Sequence, residues 1–366
     1  MSNTLIIPIF VSHMGCPHTC IFCNQHKIAG SFREPTKDEI KEKVFKYRST
    51  YPDIENAYVE LAFYGGSFTG IRKDLQEELL STALSLKKEK LIDGIRLSTR
   101  PDYITQQIVE RLLFYGVTTV EIGVQTLDDE VLTLSQRGHN QSAVENAVGF
   151  LKKSGIKVGI QLMPGLPHDS MEKVIQTTMK VIGYKPNFVR IYPTVVIRET
   201  ELARLFYEGI YQPWPLETTI EIVAMMAILF AQAHIPIIRM GLQAAPNLVI
   251  GEDLIAGPYH PSFGELVMSR VFRKQLEFLL TKNILKLDSK ENNLTIFCHP
   301  RDISKIKGQK RSNILYFKEK FNLTLEIIVM DHLPLNSLAW MENNVTKVFS
   351  RRDFLDKYRN TIGLNY

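Results

Sequence analysis

Short apolar runs alternate with longer amphipathic runs through most of the chain. The runs rich in β-branched residues predict six strands, at residues 4–13, 57–66, 94–100, 117–126, 157–167 and 186–194. Between them the pattern predicts helices, at residues 36–51, 72–90, 102–115, 128–135, 141–153 and 169–183. Strands that alternate with helices usually pair in parallel, so the sequence predicts an α/β fold of six strand–helix units.

Two local signals support the helix limits. Thr36 followed by Glu39 matches a capping box at a helix start, and Gly155 follows the end of a predicted helix as a C-cap glycine does. Six units form either an open doubly wound sheet or an incomplete (β/α) barrel. In both architectures ligands bind at the carboxyl ends of the strands.

The remainder of the chain is less regular. A helix is predicted at 217–234, a seventh strand at 235–243, a Gly- and Pro-rich stretch at 251–266 and a helix at 266–281. We therefore predict three parts: an α/β core over 1–250, a connecting segment over 251–284, and a small C-terminal α+β appendage over 285–366.

The composition argues against membrane and secreted classes of protein. The sequence holds no apolar run of about 18 residues, which a transmembrane helix needs, so we expect no membrane span. The start, MSNTLIIPIF, lacks the basic region and the cleavage site of a signal peptide. Four cysteines in a chain without export signals predict a reducing compartment, and we expect a cytoplasmic protein.

Three of the four cysteines lie close together, directly after the first predicted strand. Cys16, Cys20 and Cys23 have the spacing C-x3-C-x2-C, and thiolates bind metals. A zinc site would need a fourth ligand, which His18 or His26 would supply. A 4Fe-4S cluster held by three cysteines instead leaves one iron open to a substrate or cofactor. The position at the ligand-binding edge of an α/β sheet favours the open cluster.

The motif, with the aromatic Phe22 before its third cysteine, resembles the signature of the radical S-adenosylmethionine (SAM) enzymes. The resemblance implies a radical SAM core, which is a partial (β/α)6 TIM-like barrel, and a 4Fe-4S cluster held by Cys16, Cys20 and Cys23. The open iron would chelate the amino and carboxylate groups of SAM. One electron from the cluster would cleave SAM to a 5′-deoxyadenosyl radical, which abstracts a hydrogen atom from the substrate.

The same resemblance implies a SAM pocket at the ends of strands two to five. YGGSFTG (64–70) would bind the methionine amino group, and STRPDYIT (98–105) the carboxylate. EIGVQT (121–126) would face the ribose, and GIQLMPGLP (159–167) the adenine and methionine end. The implied residues are Gly65, Gly66, Ser67, Ser98, Arg100, Glu121, Gln125, Gln161 and Met163.

Several of these residues have structural alternatives, and Gly65, Gly66 and Ser67 would then form a plain strand-to-helix turn. Arg100 would pair with Asp102 at the start of the following helix. Glu121 lies within an apolar strand, where a carboxylate is rarely unpaired, so it is either a ligand contact or a member of a buried ion pair. Met163 would be an ordinary core residue.

Together with RGHN (137–140) and VRIYPTVVIRETEL (189–202), these motifs resemble the catalytic subunit of Elongator and its bacterial relatives over residues 5–245. That family modifies the wobble uridine of tRNA, using an acetyl donor bound by a second, acetyltransferase domain. The resemblance implies a tRNA substrate. The residues after 245 show no glycine-rich phosphate loop, so we expect no acetyltransferase domain among them.

The formal net charge of the sequence is +5, and residues 301–320 account for the whole excess. Such a run predicts either a solvated helical face or a footprint for phosphate. Residues 294–331 run strand, helix, basic turn, helix, strand, an order that resembles a KH module, whose G-x-x-G loop clamps nucleic-acid backbone. The alternative is a generic α+β cap with a basic face.

In the KH interpretation the loop is Gly308-Gln309-Lys310-Arg311, with arginine in the place of the second glycine. The residues expected to contact nucleic acid are Lys307, Gly308, Lys310 and Arg311.

The sequence leaves three functions open. The first is a radical SAM enzyme that modifies tRNA or another RNA. The second is a radical SAM enzyme that acts on a small molecule, as the distantly similar anaerobic coproporphyrinogen oxidases do. The third is a zinc-stabilised RNA-binding protein without catalysis. For either enzyme we expect ferredoxin or flavodoxin as the electron donor, because the cluster must be reduced before each cleavage.

Overall fold

Seven parallel strands form one curved sheet in the computed structural model, which describes residues 4–11, 20–24, 34–242, 251–285 and 292–362. The strands are β1 (Thr4–Phe10), β2 (Tyr58–Tyr64), β3 (Gly94–Thr99), β4 (Thr119–Gln125), β5 (Lys157–Leu162), β6 (Phe188–Ile191) and, after a short β7 (Val196–Ile197), β8 (Ile237–Met240). Each of the seven pairs in parallel with the next. A doubly wound sheet reverses its strand order, so this unreversed order confirms the incomplete (β/α) barrel, with β1 and β8 at its edges.

Helices connect the strands as the sequence predicted. They are α1 (Lys37–Thr50), α2 (Lys73–Lys88), α3 (Gln106–Phe114), α4 (Asp129–Leu134), α5 (Gln141–Lys153), α6 (Met171–Tyr184) and α7 (Glu201–Tyr207). The capping box is present, because the Thr36 hydroxyl accepts from the Glu39 N–H at 3.3 Å and the Glu39 carboxylate accepts from the Thr36 N–H at 2.9 Å. Gly155 follows α5 with φ +76°, as a C-cap glycine does.

Two stretches differ from the sequence expectation. The helix predicted over 102–115 starts only at Gln106, because the Thr105 side chain caps it and a 3-10 turn precedes it at Pro101–Tyr103. The stretch 251–266 was expected to be irregular. It contains a short strand, β9 (Leu254–Ala256), that pairs antiparallel with β7.

Contacts divide the chain into two units, Met1–Pro215 with Ile235–Tyr259, and Leu216–His234 with His260–Tyr366. The limits expected from the sequence, 1–250, 251–284 and 285–366, stay a prediction. The second unit therefore includes two helices from outside the predicted appendage, which are α8 (Leu216–Gln232) and α9 (Phe263–Thr281). Arg270 of α9 joins them through ion pairs with Glu217 and Glu221 of α8, both at 2.5–2.6 Å.

The rest of the second unit is a four-stranded sheet with three further helices. Its elements are β10 (Asn293–Cys298), α10 (Ile303–Lys307), α11 (Ser312–Phe321), β11 (Thr324–Val329), β12 (Leu338–Glu342), β13 (Val345–Phe349) and α12 (Arg351–Ile362). The strand order is β11-β10-β12-β13, and β10 and β11 are parallel. The predicted order strand, helix, turn, helix, strand over 294–331 is thus present. Cys298 is fully buried, as an inert core thiol is.

The two faces of the seven-stranded sheet differ in character. One face carries fully buried apolar side chains, such as Ile7, Leu61 and Ile95. The other carries buried charged residues, Glu60 and Glu121 among them. Within the part of the chain that the structure describes, no helix has both the length and the apolar character that crossing a bilayer requires.

Candidate active site

Two of the three clustered cysteines, Cys20 and Cys23, are among the described residues, whereas Cys16 lies outside them. The Cys23 N–H donates to the Cys20 carbonyl at 3.0 Å, which closes a tight turn and places both residues on one short segment. Cys20 is buried, and Cys23 is half-buried. Phe22, which lies between them, is also buried.

Contacts from two directions fix this cysteine segment. The Ile21 N–H donates to the Ser135 carbonyl at 3.3 Å, and the Ile21 carbonyl accepts from the Leu202 N–H at 2.7 Å. The Asn24 side chain donates to the Arg198 carbonyl at 3.3 Å. The segment also shares one apolar cluster with α4, α7 and the loop after β5, through Val131, Leu166, Leu202 and Ala203. Cys20 and Cys23 are therefore held beside the ends of β4 and β5.

The turn after β2 contains the glycine-rich part of the predicted pocket. Gly65 has φ +95°, a conformation that favours glycine. Ser67 is buried, and its carbonyl accepts from the Gly70 N–H at 2.9 Å. Gly65, Gly66 and Ser67 thus lie at the carboxyl end of a barrel strand, where ligands bind in such folds. Their contact with the amino group of SAM stays a prediction.

Arg100, directly after β3, is buried and binds a protein carboxylate. Its Nε and Nη2 atoms each donate to Asp102 at 3.0 Å, and Nη2 also donates to the Arg137 carbonyl. The pairing with Asp102 that the sequence offered as an alternative is therefore present. Ser98, on β3 itself, is half-buried. Cofactor contacts of Ser98 and Arg100 stay predictions.

The ends of β4 and β5 bring three predicted residues together. Gln125 has φ +70°, which is unusual for a residue other than glycine and marks local strain of the kind found at functional sites. Its side-chain oxygen accepts from the Gln161 amide at 3.3 Å, and its carbonyl accepts from the Met163 N–H at 2.9 Å. Met163 also packs against the apolar cluster that contains Cys20. The predicted ribose and adenine residues are therefore neighbours of the cysteine segment.

Glu121 belongs to a buried network of ion pairs. Its Oε1 atom accepts from Arg96 and from the Tyr64 hydroxyl, both at 2.9 Å, and its Oε2 atom pairs with Arg190 at 3.0 Å. Arg96 also pairs with Glu60. Burial and the adjacent Glu121 carboxylate raise the pKa of Tyr64, so its phenol stays protonated. Glu121 is thus a buried ion-pair member, and its contact with the ribose stays a prediction.

Arg137, in the RGHN motif, is a residue of this site that the sequence analysis did not assign. Its Nη1 atom donates to Cys20 Sγ at 3.1 Å, and its Nη2 atom donates to the Gly123 carbonyl at 2.5 Å. Two positions later, burial and the Arg137 charge lower the pKa of His139 to about 4, so the imidazole is neutral at pH 7. The sequence feature that could have identified Arg137 and His139 as site residues is the RGHN motif, which follows α4.

The residues expected to contact nucleic acid lie together between α10 and α11. Gly308 has φ +75°, and a Cβ atom there would lie 2.4 Å from the Ser312 hydroxyl. Lys310 and Arg311 are exposed, with φ +50° and +62°. Within the described ranges, neither they nor the half-buried Lys307 forms an ion pair with a carboxylate.

One buried amide fixes the shape of this loop. Asn313 is 2% exposed, and its side-chain NH2 donates to the Ile306 carbonyl and to the Ser269 hydroxyl, each at 3.0 Å. Its side-chain oxygen accepts from Arg273 Nε at 2.7 Å. Asn313 therefore ties the start of α11 to α9 and α10, which leaves the basic side chains of the loop outside.

The described residues fit a thiolate-bound iron–sulfur cluster. Cys20 and Cys23 supply soft sulfur donors, and the buried Arg137 supplies positive charge beside one of them. Arg137 Nε is also buried without a hydrogen-bond partner in the described part of the chain, which leaves it one further donor. Within that part no three potential metal ligands come together, and the third cysteine of the motif lies outside it.

Comparison with protein-family models gives two matches. The Radical SAM superfamily model matches residues 11–180, and the Radical_SAM C-terminal domain model matches residues 186–273. The archaeal Methanocaldococcus infernus Elp3 with an N-terminal deletion has the same fold, with a TM-score of 0.58 and 22% sequence identity. That likeness covers 77% of this chain and 64% of the archaeal chain.

Curated proteins are similar over part of the chain. A tRNA uridine(34) acetyltransferase from Methanocaldococcus jannaschii is 30% identical over 262 residues, which are 61% of this chain and 48% of that protein. Elongator complex protein 3 from Saccharomyces cerevisiae is 34% identical over 192 residues, which are 47% of this chain and 34% of that protein. The chain thus spans about half the length of these relatives, or less.

The cysteine segment, the unreversed parallel sheet and the two matched models agree with one another. The chain belongs to the radical SAM superfamily, as a radical SAM enzyme whose core is similar to that of Elongator complex protein 3 and the tRNA uridine(34) acetyltransferases.

Proposed function

We propose that this chain holds a 4Fe-4S cluster through Cys16, Cys20 and Cys23 and uses SAM to modify a uridine of tRNA. The observation that carries the proposal is the cysteine segment beside the strand ends of a half-barrel whose curated relatives are named tRNA uridine(34) acetyltransferases. When bound, the cluster and SAM supply a 5′-deoxyadenosyl radical that removes a hydrogen atom from the substrate. Reduced ferredoxin or flavodoxin is the proposed electron donor.

The protein residues bind and orient SAM in this proposal. The turn of Gly65, Gly66 and Ser67 offers bare backbone at the end of β2, which lets a ligand approach closely. Gln125, Gln161 and Met163 form the opposite wall at the ends of β4 and β5. Phe22, on the cysteine segment, is buried in the same apolar cluster as Cys20.

Three further residues of the predicted pocket act from the ends of β3 and β4. Ser98 and Arg100 would bind the carboxylate of SAM. The Arg100 guanidinium would then contact both that carboxylate and Asp102. Any contact of Glu121 with the ribose would have to form while the Glu121–Arg190 ion pair is intact, because breaking a buried ion pair is costly.

Recognition of tRNA is assigned to the second unit. Lys307, Lys310 and Arg311 have no carboxylate partner in the described ranges, so their charges are available to phosphates. Gly308 lets the loop backbone approach the nucleic-acid chain closely.

Anaerobic purification and incubation test the cofactor part of the proposal. The wild-type protein should carry about four irons per chain. With SAM and dithionite it should release 5′-deoxyadenosine, whereas Cys20→Ala should lose the cluster and the product. A colourless protein that contains zinc and no iron would contradict the proposal and favour the zinc-stabilised alternative.

Nucleoside mass spectrometry of tRNA tests the substrate part. A strain without this gene should lack one modified uridine, which the wild-type gene restores and the Cys20→Ala gene does not. Unchanged tRNA in a strain whose protein still cleaves SAM would contradict the RNA assignment and favour a small-molecule substrate.

A further inference from the structure

The contact between Arg137 and Cys20 joins a buried cation to a sulfur of the cysteine segment. Arg137 and Cys20 are each 6% exposed, and Nη1 lies 3.1 Å from Sγ. The cysteine motif identifies the sulfur ligands but not this neighbour. The contact therefore adds a residue that touches a proposed ligand atom of the cluster without being a ligand itself.

The position of the guanidinium is fixed from several sides. Its Nη2 atom donates to the Gly123 carbonyl at the end of β4, at 2.5 Å. The Arg137 backbone N–H donates to the Leu132 carbonyl at 3.0 Å, and the Arg137 carbonyl accepts from Arg100. Because backbone and side chain are both anchored, the guanidinium cannot leave the sulfur without breaking buried hydrogen bonds.

The Arg137 guanidinium also has no carboxylate partner among the described residues. Within the described ranges it forms no ion pair with a carboxylate, in contrast to Arg96, Arg100 and Arg190. An uncompensated buried charge is costly, so an anionic group should lie beside it in the functional state. The Cys20 thiolate and the cluster that it would hold are that anionic group.

We propose that Arg137 is a positioning residue that raises the reduction potential of the cluster. Hydrogen bonds to the ligand sulfurs and nearby charge are known to set the potentials of iron–sulfur clusters. Reduction adds one electron to the cluster, and a fixed cation stabilises the more negative reduced state. The inference rests on the proposed function, because it needs the cluster on Cys20.

A redox titration with dithionite as the reductant, monitored by electron paramagnetic resonance of the cluster, tests the inference. In Arg137→Gln, which removes the charge, the equilibrium constant for reduction should fall at least tenfold. For a one-electron couple this is a shift of about 59 mV to more negative potential. Arg137→Lys, which keeps a charge but not the two-pronged geometry, should fall between the glutamine variant and wild type.

The control is Arg204→Gln. Arg204 is an exposed arginine on α7 that is already neutralised by Glu201 and Glu208, so the variant should titrate as wild type does. If Arg137→Gln cannot hold the cluster, the reduction potential of Arg137→Lys, compared with that of wild type, tests the inference instead.

The outcomes separate this inference from the proposed function. A potential of Arg137→Gln or Arg137→Lys equal to that of wild type, at equal iron content, would overturn the role of Arg137 alone. A wild-type protein that binds no iron at all would overturn the proposed function, and this inference with it.

Discussion

The barrel interior and the loop between α10 and α11 of the second unit differ in how their charged side chains are paired. In the barrel, Glu60, Arg96, Glu121 and Arg190 are buried or nearly so and bind one another. In the second unit, Lys310 and Arg311 stand exposed on a loop without a carboxylate partner in the described ranges. Charge buried in compensated pairs shapes the barrel interior, whereas charge left open remains available to a partner.

Arg137 extends this contrast within the barrel. The buried Arg96 and Arg100 and the half-buried Arg190 of the same unit have carboxylate partners among the described residues, and Arg137 has a cysteine sulfur instead. We infer that the charge of Arg137 faces the proposed cluster, whereas the charges of Lys310 and Arg311 face solvent.

The largest expected effect concerns the buried network. Glu121→Ala should lower the free energy of unfolding by about 3–5 kcal/mol, because it removes a carboxylate partner from the buried Arg96 and from the half-buried Arg190. Urea denaturation measures the change. Glu55→Ala, at an exposed position, should change it by less than about 0.5 kcal/mol. Equal effects of the two variants would remove the contrast between buried and exposed charge.

Next in size is the loop that carries the exposed charges. Gly308→Ala forces a Cβ atom against Ser312 at φ +75°, which should cost about 2 kcal/mol. Hydrogen exchange of the α11 amides should then be about 30-fold faster. The matched control is Gly149→Ala in α5, where no atom lies within 4 Å of the added Cβ, and it should be neutral or stabilising. Unchanged hydrogen exchange in α11 would show that the loop does not depend on the backbone conformation of Gly308.

Charge reversal of Lys307, Lys310 and Arg311 to glutamate should weaken tRNA binding at least tenfold, or by about 1.4 kcal/mol or more. The slope of log affinity against log salt should also fall by about three. Filter binding at several salt concentrations measures both quantities. The same reversal at the exposed Lys41, Lys46 and Lys88 of the first unit should have a smaller effect. Equal losses from both triple variants would assign the effect to net charge alone.

The smallest effect concerns His139. Its folded-state pKa of about 4 is below the unfolded value of 6.5, so the unfolded chain binds the proton first as pH falls. Stability should therefore decrease between pH 6.5 and 4, by about 1 kcal/mol after allowance for partial exposure. Arg137 and Arg100 add to the lowering of this pKa, and Asp102 opposes it.

Urea denaturation across that pH range measures the His139 effect against His139→Gln. The variant should show a shallower decrease in stability, because its side chain does not titrate. Identical pH profiles would mean that the imidazole is not held neutral beside Arg137.

Much of the fold could be predicted from the sequence because its signals are local. The alternation of strands and helices, the capping box at Thr36 and the glycine at 155 depend on residues a few positions apart. The choice between a doubly wound sheet and a barrel depends on which strands are neighbours. The residues alone left it open, and the resemblance of the cysteine motif favoured the barrel.

The site was harder to predict because its contacts are distant in sequence. Cys20 and Arg137 are 117 positions apart, so no spacing rule joins them. Glu121 could be a ligand contact or an ion-pair member until its partners Arg96 and Arg190 were placed beside it. Arg100, whose partner is two residues away, was the one case in which the partner itself could be named from the sequence.

The left-handed backbone at Arg311, φ +62°, has a consequence for how this loop could vary. Glycine would adopt that conformation at lower cost, and the chain instead carries a long cationic side chain there. A protein with glycine at this position would keep the loop shape and gain stability, but would lose one of the positive charges that we propose for contact with RNA phosphates. If the loop binds RNA as proposed, the strength of that binding and the stability of the loop oppose each other at this residue, whose identity in other chains would indicate which of the two each has kept.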